Sequence, residues 1–161
     1  RSSLFKLKER KIDFNCYLVG KNIDENNKEL LSIIEEFNLT SNIFLLGQVS
    51  EVDLVYNFLD ISILSSINGE GFPNVLIESM ACGTPCVATD TGDANYIIEK
   101  TGWIAKPSDS LSLANTLDKA IAEINLPNWS SRKKNCRQRV EMNFDIIHML
   151  DKFQLTWSKI R

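Results

Sequence analysis

Two acidic side chains, Glu70 and Glu78, bracket the predicted start of a helix at about Asn74. Glu70 lies in the loop before the helix, and Glu78 lies one turn beyond Asn74 on the same helix face. Carboxylates accept hydrogen bonds from hydroxyl groups but repel phosphates, so this pair is suited to bind sugar hydroxyls on either side of an anion. On spacing alone the simpler alternative is favoured, in which Glu78 is a solvated helix residue and Glu70 is a loop charge.

The segment between the two glutamates is suited to bind an anion. Two glycines, Gly69 and Gly71, allow the backbone to approach a ligand, and Pro73 is suited to the first helical position. The first N–H groups of a helix have no partner within it, and together with the helix dipole they favour an anion such as a diphosphate. The residues predicted to form this site are Gly71, Phe72, Pro73, Asn74, Val75 and Leu76.

The apolar pattern predicts strands that alternate with helices. The predicted strands are Ile12–Val19, Ile43–Leu46, Ile61–Leu64, which is apolar enough to be buried on both faces, Cys86–Ala88 and the edge strand Trp103–Ala105. The predicted helices are 26–37, one that opens with a capping box from Ser50 to Asp53, 74–82, 94–99, 110–125, 128–143 and 145–161. This alternation predicts an α/β class and a Rossmann-like parallel sheet with helices on both faces.

Ligands of such sheets bind beyond the carboxyl ends of the strands. The loop 65–73 follows the third predicted strand, and the segment 90–93 follows the fourth, so both are expected to border one site. Asp93 is equally suited to cap the next helix. Phe72 and Trp103 are expected to pack within the protein rather than to stack on a ligand.

The composition excludes several classes of protein. With 18 Lys and Arg against 21 Asp and Glu the formal charge is −3, so no positive field attracts DNA or RNA, and no nucleic-acid partner is expected. The 4 cysteines form no CxxC pair and the chain has 1 histidine, so no zinc site is predicted and we expect reduced thiols. No apolar run approaches the roughly 20 residues of a membrane-spanning helix.

Residues 70–90 resemble the signature of the retaining GT-B glycosyltransferases of group 1, or family 4, with its Glu-x7-Glu motif. They read Glu-Gly-Phe-Pro-Asn-Val-Leu-Ile-Glu-Ser-Met-Ala-Cys-Gly-Thr-Pro-Cys-Val-Ala-Thr-Asp. The strand ends at Gly20, Gly47 and Ser65–Ser66 match the family as well, so the resemblance extends over residues 12–124. It predicts that residues 1–161 are the nucleotide-sugar-binding C-terminal half of a GT-B fold, including C-terminal helices at 128–161.

The resemblance implies roles for the site residues. It assigns Glu78 to the ribose hydroxyls of the nucleotide, and Glu70 to the donor hexose near its reacting carbon. The backbone amides of residues 71–76 are implied to hold the diphosphate and the hexose, with Ser66 at the same site and Gln48 and Val49 beside the base. Transfer is implied to retain configuration at the anomeric carbon. The chain contains no Asp-x-Asp motif, so neither a metal nor another cofactor is expected.

Two parts of the family pattern are expected upstream of Arg1, namely the acceptor-binding N-terminal domain and a basic pair that neutralises the departing diphosphate. The pattern of residues 1–11 is typical of the end of a helix, so we expect this chain to be a fragment. Such a fragment is expected to bind the nucleotide-sugar donor but not to transfer its sugar. We expect a glycan or lipid-linked acceptor. We also expect the protein to act in the cytoplasm, in the assembly of cell-surface polysaccharide or lipopolysaccharide. The basic run Arg132–Lys134, with Arg137 and Arg139, is suited to the inner face of a membrane, but a solvated helix face is favoured.

Two other functions stay open. A sugar-nucleotide epimerase of GT-B architecture would need an acid and a base in a cleft between two domains, and the Glu-x7-Glu motif argues against it. A non-catalytic sugar-nucleotide-binding module would use the same pocket without transfer. Calorimetric screening of nucleoside diphosphates against the domain tests the binding that this module and the transferase share.

Overall fold

The computed structural model describes residues 2–158, so Arg1 and the predicted helix end at 159–161 lie outside the described residues. The strands are β1 (Cys16–Val19), β2 (Ile43–Gly47), β3 (Ser62–Leu64), β4 (Cys86–Thr89) and β5 (Trp103–Ala105). The helices are α1 (Ser3–Glu9), α2 (Lys28–Glu36), α3 (Val52–Phe58), α4 (Asn74–Ala81), α5 (Ala94–Ile98), α6 (Ser110–Glu123), α7 (Trp129–Asn143) and α8 (Ile146–Ser158). The predicted alternation of strands and helices is confirmed.

The described strands pair only in parallel, and they form two sheets. In the first sheet β1 pairs with β2, and in the second β4 lies between β3 and β5. Parallel neighbours need crossover connections, and α2, α4 and α5 provide them between consecutive strands of each sheet. The predicted α/β class with a parallel arrangement is therefore confirmed, with the strands divided between two sheets.

Strand β4 holds the two halves of the core together. All four of its residues are buried. Cys86 and Ala88 pack into one cluster with residues of α4, α5 and α7, whereas Val87 packs into a second cluster with residues of α1 and α6. Successive side chains of a strand point to opposite faces, so helices cover β4 on both sides. Each fully buried large apolar side chain, such as Leu76 or Ile97, stabilises the fold by roughly 1.5–3 kcal/mol relative to exposure.

Local hydrogen bonds fix several helix ends. The side chain of Asn27 accepts a hydrogen bond from the Leu30 N–H at 3.0 Å at the start of α2. Asp109 caps α6 in the same way, by accepting from two N–H groups of its first turn at 2.8 and 3.0 Å. Gly83 follows the end of α4 with a φ of +77°, which a residue with a side chain rarely adopts, so the predicted stop at this glycine is confirmed.

Strand β1 is shorter than predicted. It begins at Cys16 instead of Ile12, because the left-handed residue Lys11, with a φ of +58°, reverses the chain after α1. The Ile12 N–H donates to the Leu7 carbonyl at 3.1 Å in this turn. Ile12 and Phe14 then pack against the cluster that contains Val87 instead of pairing in a sheet.

Three predicted helix starts need correction. Ser50 does not cap α3, because the helix begins at Val52 and Glu51 takes the N-cap position. Pro73 takes the N-cap position of α4 with an extended ψ of 97°, one residue before the first helical position predicted for it. Asp93 is the N-cap residue of α5, but within the described residues its carboxylate makes no capping hydrogen bond.

The prediction that the third strand is buried on both faces is wrong. Ser62 is buried, but the Ile63 side chain is 42% exposed. The physical reason is that β3 is an edge strand, with β4 as its one paired neighbour among the described strands. An apolar residue is thus left on an open sheet edge.

Two arginines of the basic run dock α7 onto the rest of the domain. Arg132 forms an ion pair with Glu123 at 2.6 Å and lies 4.4 Å from the centre of the Trp103 ring, which itself stacks with Trp129. Arg139 forms an ion pair with Glu99 at 2.5 Å.

The exposed fractions of the two arginine side chains are only 19% for Arg132 and 13% for Arg139. The favoured prediction of a solvated face is therefore wrong for these two residues, because their long side chains reach partners on neighbouring elements. Lys134 and Arg137 of the same run are exposed. The stacked Trp103 also confirms the predicted packing role of this ring.

The four cysteines are free thiols in the structure. Burial raises the pKa of Cys86 to about 12 and that of Cys136 to about 11, so both remain protonated near neutral pH.

None of the helices within residues 2–158 combines the length and apolar character needed to cross a membrane.

Gly102 provides a test of the packing beneath β4. A Cβ at this position would lie 2.2 Å from the Cys86 carbonyl oxygen and 2.9 Å from a methyl group of Ile98. Backbone cannot yield as a flexible side chain does, so we expect Gly102→Ala to lower the free energy of unfolding by about 1–3 kcal/mol in urea titrations. Gly71→Ala is the control, because no atom lies within 4 Å of its Cβ position. Equal stability of the two variants would contradict this packing.

Candidate functional site

The loop between β3 and α4 carries Glu70, and hydrogen bonds fix it in place. The Ser66 hydroxyl donates to Oε1 of Glu70 at 2.5 Å. The Thr89 hydroxyl, at the buried end of β4, donates in turn to the Ser66 carbonyl at 2.6 Å. The carboxylate is therefore positioned by contacts that begin at the central strand of its sheet.

The loop after β4 packs directly against the peptide that follows Glu70. Gly92 has a φ of +53°, and a Cβ there would lie 2.3 Å from the Gly71 carbonyl oxygen and 2.5 Å from that of Glu70. The Asp93 N–H donates to the same Gly71 carbonyl at 2.9 Å. The structure thus brings together the two loops that the sequence places at one edge of the sheet.

The backbone at the start of α4 is open to a ligand. No atom lies within 4 Å of a Cβ built on Gly69 or on Gly71. Asn74 and Val75 are exposed at the first positions of the helix. Their N–H groups lack partners one turn back in the helix, and the helix dipole adds positive potential there. This geometry suits a phosphate group.

Leu76 differs from the other residues predicted at this helix start. Its N–H donates to the Pro73 carbonyl at 3.1 Å, and its side chain is fully buried. The prediction that Leu76 offers a free N–H is therefore wrong, because the first turn of the helix closes on this group. N–H groups that could bind an anion are therefore limited to the residues before Leu76.

The Phe72 ring packs rather than projecting freely from the loop. Its centroid lies 5.9 Å from that of Phe144 in an edge-to-face arrangement, and Phe144 makes a similar contact with Tyr96 at 5.8 Å. These rings connect the loop to the C-terminal end of α7. The predicted packing role of Phe72 is confirmed, although the ring remains 47% exposed.

Glu78 lies one turn into α4, exposed to solvent, with Tyr56 of α3 beside it. The Tyr56 hydroxyl donates to Oε2 of Glu78 across 3.5 Å, which is a long hydrogen bond. Burial, reinforced by the negative charge of Glu78, raises the pKa of Tyr56 to about 12. The phenol therefore remains a donor at neutral pH, and most of the accepting capacity of Glu78 stays available.

Gln48 and Val49 lie on a different loop, immediately after β2. Backbone hydrogen bonds join this loop to the one after β1, because Gly20 N–H donates to the Gly47 carbonyl at 2.8 Å and Gly47 N–H donates to Ile23 at 2.9 Å. Gln48 is exposed and Val49 is half-buried. The loop leads into α3, which packs on α4, so it is connected to the Glu78 side of the site.

Sequence reasoning missed two residues of this site, Tyr56 and Thr89. Tyr56 reaches Glu78 across 22 positions of the chain, and no local pattern reports such a contact. Thr89 carries a weak signal, since it is a polar residue that ends an otherwise apolar strand. Among the described residues, no group of three or more His, Cys, Asp or Glu side chains is placed to hold a metal ion.

The fold and this site define an α/β domain with an open helix start flanked by two carboxylates at the carboxyl edge of a parallel sheet. The chain belongs to the glycosyl transferases group 1, whose family model matches residues 2–138. The match includes Glu70, Glu78 and the other predicted site residues, and it ends one residue before Arg139 of α7.

Individual relatives agree with this assignment. WcaL of Escherichia coli K12, a glycosyltransferase named for colanic acid biosynthesis, is 28% identical over 149 residues, which are 87% of this chain and 36% of WcaL. A glycosyltransferase from Rickettsia africae superposes with a TM-score of 0.86 at 28% identity, over 98% of this chain and 42% of that one. Anabaena HepE in complex with UDP-glucose superposes with a TM-score of 0.77 at 25% identity, over 90% and 41%.

These structures confirm the GT-B type of fold. The chain spans well under half the length of each of these relatives.

The contact at Gly92 predicts a specific defect. We expect Gly92→Ala to force the two loops apart, to lower the free energy of unfolding by about 1–3 kcal/mol, and to shift the backbone NMR signals of Glu70 and Gly71. Gly69→Ala is the matched control, because Gly69 also has a positive φ, +81°, but no atom within 4 Å of its Cβ position. Its cost should be limited to backbone strain of roughly 1 kcal/mol. Indistinguishable effects of the two variants would rule out the close contact.

Proposed function

We propose that this chain is the donor-binding part of a retaining glycosyltransferase and binds a nucleotide sugar at the start of α4. The observation that carries the proposal is the position of Glu70, which Ser66 holds beside the open backbone of Gly71. A carboxylate fixed next to an anion-binding helix start is suited to a ligand that has hydroxyl groups adjoining a phosphate. A nucleotide sugar has this chemistry on both sides of its diphosphate.

The donor is proposed to lie across the helix start. The diphosphate is bound by N–H groups between Gly71 and Val75, which need no lysine to attract it. Glu70 has one oxygen bonded to Ser66, so its other oxygen is available to a hexose hydroxyl. Glu78 accepts from the ribose hydroxyls, helped by the orientation that Tyr56 gives its carboxylate. The loop at Gln48 and Val49 is assigned to the base.

The same helix start is proposed to assist the departure of the diphosphate. Negative charge grows on the leaving group as the bond to the anomeric carbon breaks, and fixed N–H dipoles stabilise that charge without reorganising. The acceptor hydroxyl is proposed to enter on the face that the diphosphate leaves, which retains configuration. Glu70 then binds the sugar near the reacting carbon, and it does not act as a nucleophile. No metal or other cofactor is part of this proposal.

The similar proteins support a nucleotide sugar as the donor and a polysaccharide as the product. HepE is a structural neighbour that was solved in complex with UDP-glucose, and WcaL is named for colanic acid biosynthesis. By analogy, the longer protein is proposed to build a cell-surface polysaccharide on a glycan or lipid-linked acceptor, in the cytoplasm. Peripheral contact with a membrane would have to use the half-buried Lys133 and the exposed Lys134 and Arg137 of the run, since Arg132 and Arg139 are engaged within the domain.

The two glutamates should differ in the ligand that they affect. With UDP as the titrant in calorimetry, we expect Glu78→Ala to weaken binding by about 10- to 100-fold, because a charge-assisted contact of roughly 1.5–3 kcal/mol is lost. Glu70→Ala should leave the affinity for UDP nearly unchanged but lower the affinity for UDP-glucose. Glu29→Ala, which removes an exposed glutamate of α2, is the control for net charge. Equal losses of UDP affinity in the Glu70 and Glu78 variants would refute these roles.

A second test concerns turnover. We expect the 161-residue chain to transfer no sugar from UDP-glucose to added acceptors, because the acceptor must be positioned by a part of the protein beyond this domain. Release of UDP can be followed with a coupled assay, with a full-length group 1 glycosyltransferase as positive control. Multiple turnovers by the chain alone would overturn its assignment as a donor-binding part.

A further inference from the structure

Three aromatic rings and one guanidinium group meet where α7 ends. The Phe144 ring packs edge-to-face on the rings of Phe72 and Tyr96, with centroids 5.9 and 5.8 Å apart. The guanidinium carbon of Arg139 lies 5.5 Å from the centre of the Phe144 ring and 5.8 Å from that of Tyr96. We call these four side chains the aromatic cluster. The cluster joins α7 to α5 and to the loop between β3 and α4, which contains Phe72.

Arg139 holds the aromatic cluster on the side of α7. Its Nε donates to the Ile97 carbonyl at 2.6 Å, and its Nη2 donates to the Tyr96 carbonyl. Arg139 also forms an ion pair with Glu99 at 2.5 Å, and only 13% of its side chain is exposed. A cation is favoured at the carbonyl end of a helix and over an aromatic ring, so these contacts support one another. Both α5 and the Phe144 ring are therefore attached to one well-fixed group.

The opposite side of the aromatic cluster contacts backbone that can rotate. Gly71 precedes Phe72, and glycine has more conformational freedom than any other residue. The Asp93 N–H holds the Gly71 carbonyl at 2.9 Å. Between Gly71 and the start of α4, the Phe72 ring restrains the backbone because it packs on Phe144. The directions of the N–H groups in this segment therefore depend on the contact between the two rings.

The exposure of the aromatic cluster distinguishes it from the core. The exposed fractions are 47% for Phe72 and 57% for Tyr96, whereas the core residues Leu76 and Ile97 of the same helices, α4 and α5, are fully buried. Hydrophobic stabilisation scales with the area removed from water, so the Phe72 ring stabilises the fold less than a buried ring of the same size. Its contact with Phe144 is thus better suited to orient the loop than to hold the domain together.

We infer that Phe144 is a positioning residue for donor binding, which acts through Phe72 on the backbone that binds the diphosphate. The inference rests on the proposed function, in which N–H groups between Gly71 and Val75 bind that diphosphate. Groups that are ordered before binding give higher affinity, because the ligand does not have to order them. Without the Phe144 ring, the ligand itself has to order the loop, and the affinity for a nucleoside diphosphate falls.

The test removes one ring of the contact at a time, with Phe144→Leu and Phe72→Leu. In the ligand-free chain, NMR relaxation should show backbone order parameters at positions 71 and 72 that fall from the roughly 0.85 of rigid backbone to about 0.6. The amide of Val87 in β4 is the internal control and should be unchanged. In calorimetry, we expect each variant to bind UDP about 3- to 10-fold more weakly. Phe144→Tyr keeps the ring and should bind UDP like the unchanged chain.

A double-mutant cycle and a remote variant separate positioning from a general loss of stability. Phe144→Leu and Phe72→Leu remove the same contact, so the double variant should bind UDP as weakly as either single variant. Phe37→Leu is the matched control, because Phe37 is also half-buried and its ring pairs with that of Phe5 at 5.7 Å, where α1 meets the end of α2. This control should lower the stability in urea titrations without changing the affinity for UDP.

Each outcome decides the inference. Lower order parameters with weaker UDP binding in both leucine variants, and neither effect in Phe144→Tyr, support it. Unchanged order parameters, unchanged UDP affinity, an equal loss in Phe144→Tyr or additive losses in the double variant overturn it. If circular dichroism shows that Phe144→Leu does not fold, Phe72→Leu decides by its order parameters and its UDP affinity. Absence of UDP binding by the unchanged chain would refute the proposed function as well, whereas normal binding by every variant would overturn this inference alone.

Discussion

The close approach of two backbone loops at Gly92 constrains the rest of the site. Glycine is required there because any side chain would meet the carbonyl oxygens of Glu70 and Gly71. The contact is possible only because β3 and β4 are adjacent and parallel, so that their carboxyl ends lead into neighbouring loops. The buried core around β4 thus sets the position of Glu70, while the other side of the loop, at Gly69 and Gly71, remains open. Rigid support beneath an accessible surface is what preorganised binding requires.

The sequence predicted the features that depend on local patterns. The bounds of α4 agree with the prediction to within one residue, because Pro73 precedes the helix and Gly83 stops it. The neighbouring positions of the two site loops also followed from the strand order of a parallel sheet. Short-range signals failed where neighbouring residues compete for one role, as at Ser50, which lies one residue before the N-cap position that Glu51 takes.

Contacts between distant side chains could not be predicted in this way. Whether an arginine on α7 is solvated or engaged depends on where Glu123 and Glu99 lie, which is a property of the whole fold. The same holds for Tyr56, whose contribution to the site depends on the packing of α3 against α4. The failed prediction for β3 has a similar cause, because the exposure of Ile63 depends on the place of β3 in the strand order, which its own apolar pattern does not report.

The stacked tryptophan rings beside Arg132 allow the docking of α7 to be followed by intrinsic fluorescence. Two of its 3 tryptophans, Trp103 and Trp129, lie with ring centroids 6.4 Å apart, one on β5 and one at the start of α7. Indole emission responds to solvent and to nearby charge, so fluorescence of this pair follows the docking of α7 on β5. Far-ultraviolet circular dichroism follows all the helices instead. Melting curves from the two signals will coincide only when α7 leaves the sheet at the same moment that the remaining helices unwind.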